Sequence, residues 1–185
     1  MEAAVRVFAQ EGYSGSTVSQ IAREAGVADG TIYLYFKNKE DILASFVRQH
    51  SQEFFDRVED SLAREKNAID KLHALVRLHF AASRLDRHKA LVYQVEMRQS
   101  SRLMKAEIRD ALKRYLDLVG AILEEGQQEG LIRQDLYVGL VKRMIFASVD
   151  EVITAWVISG GKYDLAALAD PLVDLFLDGV RAQAK

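Results

Sequence analysis

The stretch from residue 17 to residue 43, TVSQIAREAGVADGTIYLYFKNKEDIL, decides the fold of the N-terminal part of the chain. Thr17, with Gln20 three residues later, forms a Thr-x-x-Gln capping box that begins a helix. Gly26 fits the position at which that helix ends. A short second helix is predicted over about residues 30–36, and a long third helix follows it. Two helices joined by a tight turn, with the second one short, indicate a helix-turn-helix motif.

The short helix divides its side chains between two faces. Ile32 and Phe36, four residues apart, face inward and fix the helix to the core of the domain. The outward side chains offer hydroxyl groups and an apolar tip, which suit phosphate oxygens and thymine methyl groups of DNA. Alternatively, the tyrosines are core aromatics whose hydroxyls reach water. The outward set that we predict to contact DNA is Thr31, Tyr33, Leu34 and Tyr35.

Three residues at helix N-termini are candidate phosphate contacts. Asn38 is the predicted cap of the long helix, so Lys39 takes the first helical position, where a cation opposes the helix macrodipole. A DNA phosphate at that N-terminus would make this placement favourable, because the ammonium and the backbone N–H groups would bind it together. The alternative is that Lys39 is simply solvated. Ser16 and Thr17 offer a second phosphate contact of the same kind at the preceding helix.

The quoted stretch resembles the DNA-binding domain of the TetR family of bacterial transcriptional regulators. The resemblance lies in the Ala-Gly-Val turn, the Gly-Thr pair, the Tyr-rich short helix and the Lys-Glu-Asp start of the long helix, all without a gap. In that family the short helix is the recognition helix, and a helical ligand-binding and dimerisation domain follows. The resemblance implies DNA contacts from Thr17, Thr31, Tyr33, Tyr35 and Lys39.

Two features depart from the family pattern. Members usually carry several more residues, often basic, before the first helix, whereas this chain begins at Met1 within it. We therefore expect either weak DNA binding or a true start further upstream, the more so because residues 1–48 carry five basic and six acidic side chains. Ala28 also stands where a serine often caps the recognition helix, which leaves Asp29 to cap it.

The composition predicts an all-α protein. The chain has 185 residues, one proline, no cysteine and a net charge of −2. A single proline leaves almost the whole chain free to be helical, and the lack of cysteine excludes a disulfide scaffold and thiolate metal sites. There is no apolar run long enough for a signal peptide or a bilayer span, so we expect a cytoplasmic protein that does not enter the membrane.

Helical periodicity divides the chain into two predicted domains. We place a three-helix DNA-binding domain at residues 1–46 and a helical-bundle ligand-binding and dimerisation domain at residues 47–185. The last two helices, at about 135–159 and 165–183, are apolar on more than one face, which predicts a homodimer through them. The other predicted helices are residues 1–11, about 39–64, 68–85, 88–99 and 101–129.

The second domain resembles a particular subgroup of the family. The segments VYQVEMRQSSRLMKAEIRDALKRYL, residues 92–116, and RMIFASVDEVITAWVISGGKYDLAALA, residues 143–169, carry the resemblance. They are similar to the fatty-acid-degradation regulators of Gram-positive and Thermus-type bacteria, which repress β-oxidation genes and release DNA when a long-chain acyl-CoA binds. The resemblance implies a repressor with long-chain acyl-CoA as its effector and operator DNA as its partner, without a cofactor or a metal.

An acyl-CoA needs a long apolar tunnel and a cationic mouth for its phosphates. Apolar side chains recur at helical spacing and could line the tunnel, with methionines adapting to a flexible chain; otherwise they are ordinary bundle core. A row of basic residues three or four apart could bind the phosphates, or could form a solvated face paired with acidic neighbours. The predicted ligand contacts are Phe80, Tyr93, Met97, Arg98, Arg102, Lys105, Arg109, Met144, Val149, Ile153 and Trp156.

Enzyme motifs are missing from the sequence. There is no His-Glu-x-x-His motif, no Gly-rich phosphate loop and no Gly-x-Ser-x-Gly elbow, so we predict no catalytic residues. Two other functions stay open at this point. One is a repressor of the same family that senses another amphipathic molecule, such as a drug or a free fatty acid. The other, from a different class, is a helical acyl-CoA or lipid carrier without a DNA function.

Overall fold

The computed structural model describes residues 1–95 and 104–180, with only the backbone described at residues 104–106. Within these residues the chain is helical and contains no strand, which confirms the all-α prediction. No helix in this part is both long and apolar enough to cross a lipid bilayer. The helices are α1 Glu2–Gly15, α2 Val18–Ala25, α3 Asp29–Tyr33, α4 Lys39–Leu62, α5 Ala68–Leu85, α6 Arg87–Gln94, α7 Met104–Gln128, α8 Val138–Ile158 and α9 Ala169–Val180, with a 3-10 turn at Ala166–Leu168.

The chain packs as two compact units. The N-terminal unit comprises the described residues of Met1–Glu53 and Asp86–Ala111, and the C-terminal unit those of Phe54–Leu85 and Leu112–Lys185. α4 runs unbroken through residues 46 and 47, so the predicted domain boundary does not fall at a break in a helix. By packing, α6 and the start of α7 group with the DNA-binding helices rather than with the bundle that follows.

The core of the N-terminal unit is built from α1, α2, α4 and α6. Phe8 of α1 and Val92 of α6 are both 0% exposed and belong to one cluster, which is why α6 groups with this unit. Ile32 of the short third helix and Phe36 after it pack against the cluster, as their spacing predicted. The other buried members are Ala4, Val5, Val7, Ile21, Ile42, Leu43, Phe46 and Val47.

The C-terminal unit buries α5 against α8 and α9. Leu75 and Phe80 of α5, Ile153 of α8 and Leu177 of α9 are fully buried there, and burying such side chains is worth about 1.5–3 kcal/mol each. Polar contacts at the edge join the same helices, since His73 Nδ1 lies 3.0 Å from an Asp170 carboxylate oxygen. α8 and α9 therefore both pack on α5.

The short helix differs from its predicted bounds. α3 covers only Asp29–Tyr33, and Leu34 and Tyr35 form a turn instead of a last helical turn. The prediction that Asp29 caps this helix is wrong, because the helix begins one residue earlier than predicted and Ala28 occupies the N-cap position without a side-chain hydrogen bond. The Asp29 carboxylate instead accepts a hydrogen bond from the Ser19 hydroxyl of α2.

Candidate DNA-binding and ligand-binding sites

The start of α2 has the predicted capping box. The Thr17 hydroxyl oxygen accepts from the Gln20 backbone N–H at 3.2 Å, and the Gln20 side-chain oxygen accepts from the Thr17 backbone N–H at 2.7 Å. The helix ends at Gly26, whose φ of 69° lies in the left-handed region that glycine adopts without strain. Thr17 is exposed, so its predicted DNA contact is compatible with its capping role and stays a prediction.

The outward face of α3 and the turn after it exposes three large side chains. Tyr33, Leu34 and Tyr35 are 56%, 80% and 76% exposed. Thr31 is less accessible than these three, because it is half-buried. The exposure of both rings argues against the alternative that the tyrosines are core aromatics. A contiguous aromatic and aliphatic surface on a five-residue helix and the turn after it is unusual for a protein that acts alone, and such patches mark binding surfaces.

Lys39 makes contacts that were not predicted from the sequence. Its ammonium donates to the backbone oxygens of Tyr13 at 2.5 Å and of Ser16 at 2.7 Å, and it lies 4.6 Å from the centre of the Tyr13 ring. Burial lowers the pKa of this ammonium. The lysine thus ties the start of α4 to the end of α1, and one of its three N–H donors is left for another acceptor.

Ser16 is not placed as predicted. It is only 3% exposed, and its hydroxyl donates to the Tyr13 backbone oxygen at 2.8 Å. The side chain therefore closes the turn before α2 rather than reaching outward to a phosphate. The reason is local, because a serine directly after a helix end can satisfy a carbonyl oxygen that the helix leaves free.

Replacing Lys39 by methionine should lower the stability of the free protein. The substitution keeps the aliphatic stem but leaves the Ser16 carbonyl without its donor, and hydrogen bonds to charged groups contribute about 1.5–3 kcal/mol each. We expect the free energy of unfolding, measured by urea denaturation without DNA, to fall by about that amount. Lys37→Met is the matched control, since Lys37 is exposed and two residues away. Equal stability of the two variants would contradict a structural role for Lys39.

Four predicted ligand contacts lie in the interior of the C-terminal unit. Phe80, Val149 and Ile153 are 0% exposed and Trp156 is 5% exposed, with the Trp156 indole N–H donating to the Tyr163 backbone oxygen at 3.0 Å. The structure brings Val149, Ile153 and Trp156 together on one buried side of α8. Burial of this kind is common to a tunnel lining and to an ordinary bundle core, so the ligand contacts of these residues stay a prediction.

The other predicted ligand contacts are placed elsewhere. Tyr93 belongs to the N-terminal unit, where its hydroxyl lies 3.0 Å from that of Ser51. Met144 is 52% exposed on the outer side of α8, so an interior position for it is wrong. The Arg109 side chain is exposed, and its Nε lies 4.0 Å from an Asp110 carboxylate oxygen. This agrees with the alternative in which the basic row is a solvated face paired with acidic neighbours. Met97, Arg98, Arg102 and the side chain of Lys105 lie outside the described residues.

An apolar groove of about 490 Å³ opens between α5, α8 and α9. Among the described residues, none of the ligand contacts listed above lines it. It was missed because its lining comes from three helices far apart in sequence, and the only sequence signal was the excess of apolar residues in the last two helices. Its lining includes Leu72, Val76, Ile145, Val152, Leu172 and Phe176.

Large apolar side chains are also exposed on α8 and α9. Ile158 and Leu175 are 71% and 77% exposed, and Leu175 also borders the groove. Small side chains lie between the large ones on α8, where Ala147 and Ala155 are exposed. We call this surface the α8–α9 face; its large members are Leu140, Met144, Ile158, Leu168 and Leu175.

A polar cluster inside the C-terminal unit was also missed by the sequence argument. The Tyr115 hydroxyl lies 3.5 Å from His79 Nδ1, and burial together with the Asp150 carboxylate raises the pKa of this phenol well above its ordinary value. Thr154 Oγ1 is buried without a hydrogen-bond partner among residues 1–95 and 104–180. No group of three His, Cys, Asp or Glu side chains in the described part of the chain could hold a metal ion.

The fold and the exposed recognition helix define a helix-turn-helix DNA-binding protein with a helical second domain. Residues 1–46 match the family described as bacterial regulatory proteins, tetR family, and residues 47–179 match the YsiA-like protein, C-terminal region. The chain belongs to the TetR family of transcriptional regulators. This confirms the family predicted from the N-terminal motif.

Similar proteins with established names refine this assignment. The chain is 44% identical to the fatty acid metabolism regulator protein of Bacillus subtilis strain 168 over 97% of this chain and 93% of the relative. It is 28% identical to the repressor KstR2 of Mycobacterium tuberculosis strain H37Rv over 97% of this chain and 90% of the relative. These relatives are transcriptional regulators, as we predicted for this chain.

Solved structures give the same result. The crystal structure of the regulator FadR from Bacillus subtilis in complex with stearoyl-CoA matches with a TM-score of 0.91 and 44% identity, covering 96% of both chains. The fatty acid degradation regulator FadR from Bacillus halodurans matches with a TM-score of 0.92 and 43% identity, covering 98% of this chain and 94% of that one. The predicted resemblance to fatty-acid-degradation regulators is therefore confirmed.

Proposed function

We propose that the protein is a homodimeric, cytoplasmic repressor of fatty-acid degradation genes that leaves its operator when a long-chain acyl-CoA binds, and that it has no catalytic activity. The observation that carries the proposal is the similarity along nearly the whole chain to a regulator solved with stearoyl-CoA. The structure supports both DNA binding and ligand binding, because one unit has an exposed recognition helix and the other has a large apolar interior.

At the DNA end, the exposed side chains of α3 would enter the major groove. Tyr33 and Tyr35 supply hydroxyls for phosphates, and Leu34, at 80% exposure, supplies an apolar tip for a thymine methyl group. Lys39 would add its remaining N–H donor at the start of α4. In a dimer the two recognition helices must sit about 34 Å apart to read successive major grooves.

At the ligand end, the interior around α5 and α8 would accept the acyl chain. Phe80, Val149 and Ile153 are fully buried there, and each methylene moved from water into such surroundings is worth about 0.8 kcal/mol. The acyl chain can enter this interior only if α5 and α8 move apart. Ligand binding would then favour an arrangement of the dimer in which the two recognition helices no longer match the groove spacing.

The dimer would form through the α8–α9 face. Its exposed apolar side chains are numerous for a free surface, and small residues such as Ala147 and Ala155 allow helices to approach closely. A twofold axis through this face would bring two helices from each subunit together as a four-helix interface. Met144 would serve this interface rather than the ligand.

Operator release by stearoyl-CoA tests the proposal. Purified protein should shift DNA from upstream of its own gene in a gel at low salt, and saturating stearoyl-CoA should abolish the shift. Removal of most bound DNA needs a ligand that binds the released state about 10⁴-fold more tightly. Coenzyme A alone should have no effect, because it lacks the acyl chain.

Three outcomes would contradict the proposal. DNA that stays bound at saturating stearoyl-CoA would exclude acyl-CoA as the effector. Release by stearate or by a cationic drug, without release by stearoyl-CoA, would favour a repressor that senses another amphipathic ligand. Failure to bind any such DNA, combined with tight acyl-CoA binding, would instead favour a carrier.

A further inference from the structure

One half-buried stripe of α8 carries polar side chains in the C-terminal unit. Phe146, Asp150 and Thr154 are spaced by four residues and therefore lie on the same side of the helix. The Phe146 ring packs edge-on against the Tyr115 ring of α7, with the ring centres 5.5 Å apart. The stripe therefore contacts α7 at Phe146, and all three of its residues are half-buried.

Thr154 lacks the hydrogen bond that a buried hydroxyl normally makes. Its Oγ1 has no contact with solvent and no partner among residues 1–95 and 104–180. A helical threonine usually donates to the backbone oxygen three or four residues earlier, and this hydroxyl does not. Buried polar groups are rarely left in this state, and an exception calls for an unrecognised partner.

The surroundings limit what that partner can be. The adjacent stripe of α8 carries Val149 and Ile153, both 0% exposed, so an apolar chain lying there would pass close to Thr154. A neutral hydroxyl suits a carbonyl or an amide, whereas a phosphate would require cations. A neutral polar group joined to an apolar chain would meet both conditions.

We propose that the Thr154 hydroxyl binds the neutral polar part of the acyl-CoA, namely the thioester carbonyl or an amide of the pantetheine arm. This inference rests on the proposed function and adds the position at which the acyl chain ends and the arm begins. Tyr115, whose hydroxyl lies 3.5 Å from His79 Nδ1, packs its ring on Phe146 at the other end of the same stripe.

Two substitutions at this position test the inference. Thr154→Val keeps the shape and removes the hydroxyl, whereas Thr154→Ser keeps the hydroxyl. Calorimetric titration with stearoyl-CoA should give a dissociation constant about 10-fold weaker for the valine variant, and within about 2-fold of wild type for the serine variant. Without ligand, Thr154→Val should melt at or above the wild-type temperature, because it removes an unpaired hydroxyl.

A thioether analogue, S-octadecyl-CoA, separates the two polar groups, because it lacks the thioester carbonyl. If the valine variant binds this analogue as tightly as wild type does, the contact is the thioester; if it is still weaker, the contact is an amide. Both results support the inference. Equal binding of stearoyl-CoA by wild type and Thr154→Val would overturn it, as would a clear loss of ligand-free stability. A wild-type chain that does not bind stearoyl-CoA would overturn the proposed function itself.

Discussion

Replacing Leu175 by arginine should turn the protein into a folded monomer that no longer holds its operator. Leu175 is 77% exposed on α9, so the free subunit accommodates the charge in water. In the proposed dimer the twofold axis places two such charges in one apolar interface, and an unpaired buried charge costs several kcal/mol. A monomer contacts one half-site only, and we expect operator affinity to fall by about 100-fold or more.

Sedimentation velocity and gel shift measure the two effects. Leu85→Arg is the matched control, because Leu85 is 75% exposed at the end of α5 and is not part of the α8–α9 face. It should remain dimeric and bind DNA as wild type does. A Leu175→Arg protein that stays dimeric and binds DNA normally would contradict the proposed interface. If it stays dimeric but no longer responds to stearoyl-CoA, the apolar groove that it borders is a ligand site instead.

The elements that the sequence predicted well are those set by local interactions. The capping box of Thr17 and Gln20, and the Asn38 cap of α4, whose side-chain oxygen accepts from the Asp41 N–H at 2.9 Å, involve residues three apart. Such contacts form whatever the rest of the chain does. The inward position of Ile32 and Phe36 follows from helical spacing in the same way.

The features that the sequence did not predict depend on contacts between distant segments. The carbonyl partners of Lys39 are 26 and 23 residues away, and no local pattern indicates them. The position of Met144 shows a second limit. A helix with two apolar faces has the same periodicity whether a residue faces its own core or a second subunit, so only the packing of α8 against α5 distinguishes Met144 from Ile145.

Replacing both Tyr33 and Tyr35 by alanine should abolish operator binding without unfolding the protein. The two side chains are 56% and 76% exposed, and the helix keeps its anchors Ile32 and Phe36, so we expect the melting temperature to change by no more than about 2 °C. In the dimer the change removes four contacts. At about 1 kcal/mol for each contact, operator affinity should fall by about 1000-fold.

The phenylalanine variants separate the hydroxyls from the rings. If the tyrosines bind phosphates, Tyr33→Phe with Tyr35→Phe should lose nearly as much affinity as the alanine pair, and equally for operator and unrelated DNA, because phosphate contacts carry no sequence information. Leu34→Ala should act differently. Its apolar tip is 80% exposed, and its removal should weaken operator binding more than nonspecific binding, since a thymine methyl group is a feature of sequence. Wild-type affinity in the alanine pair would show that α3 is not the recognition helix.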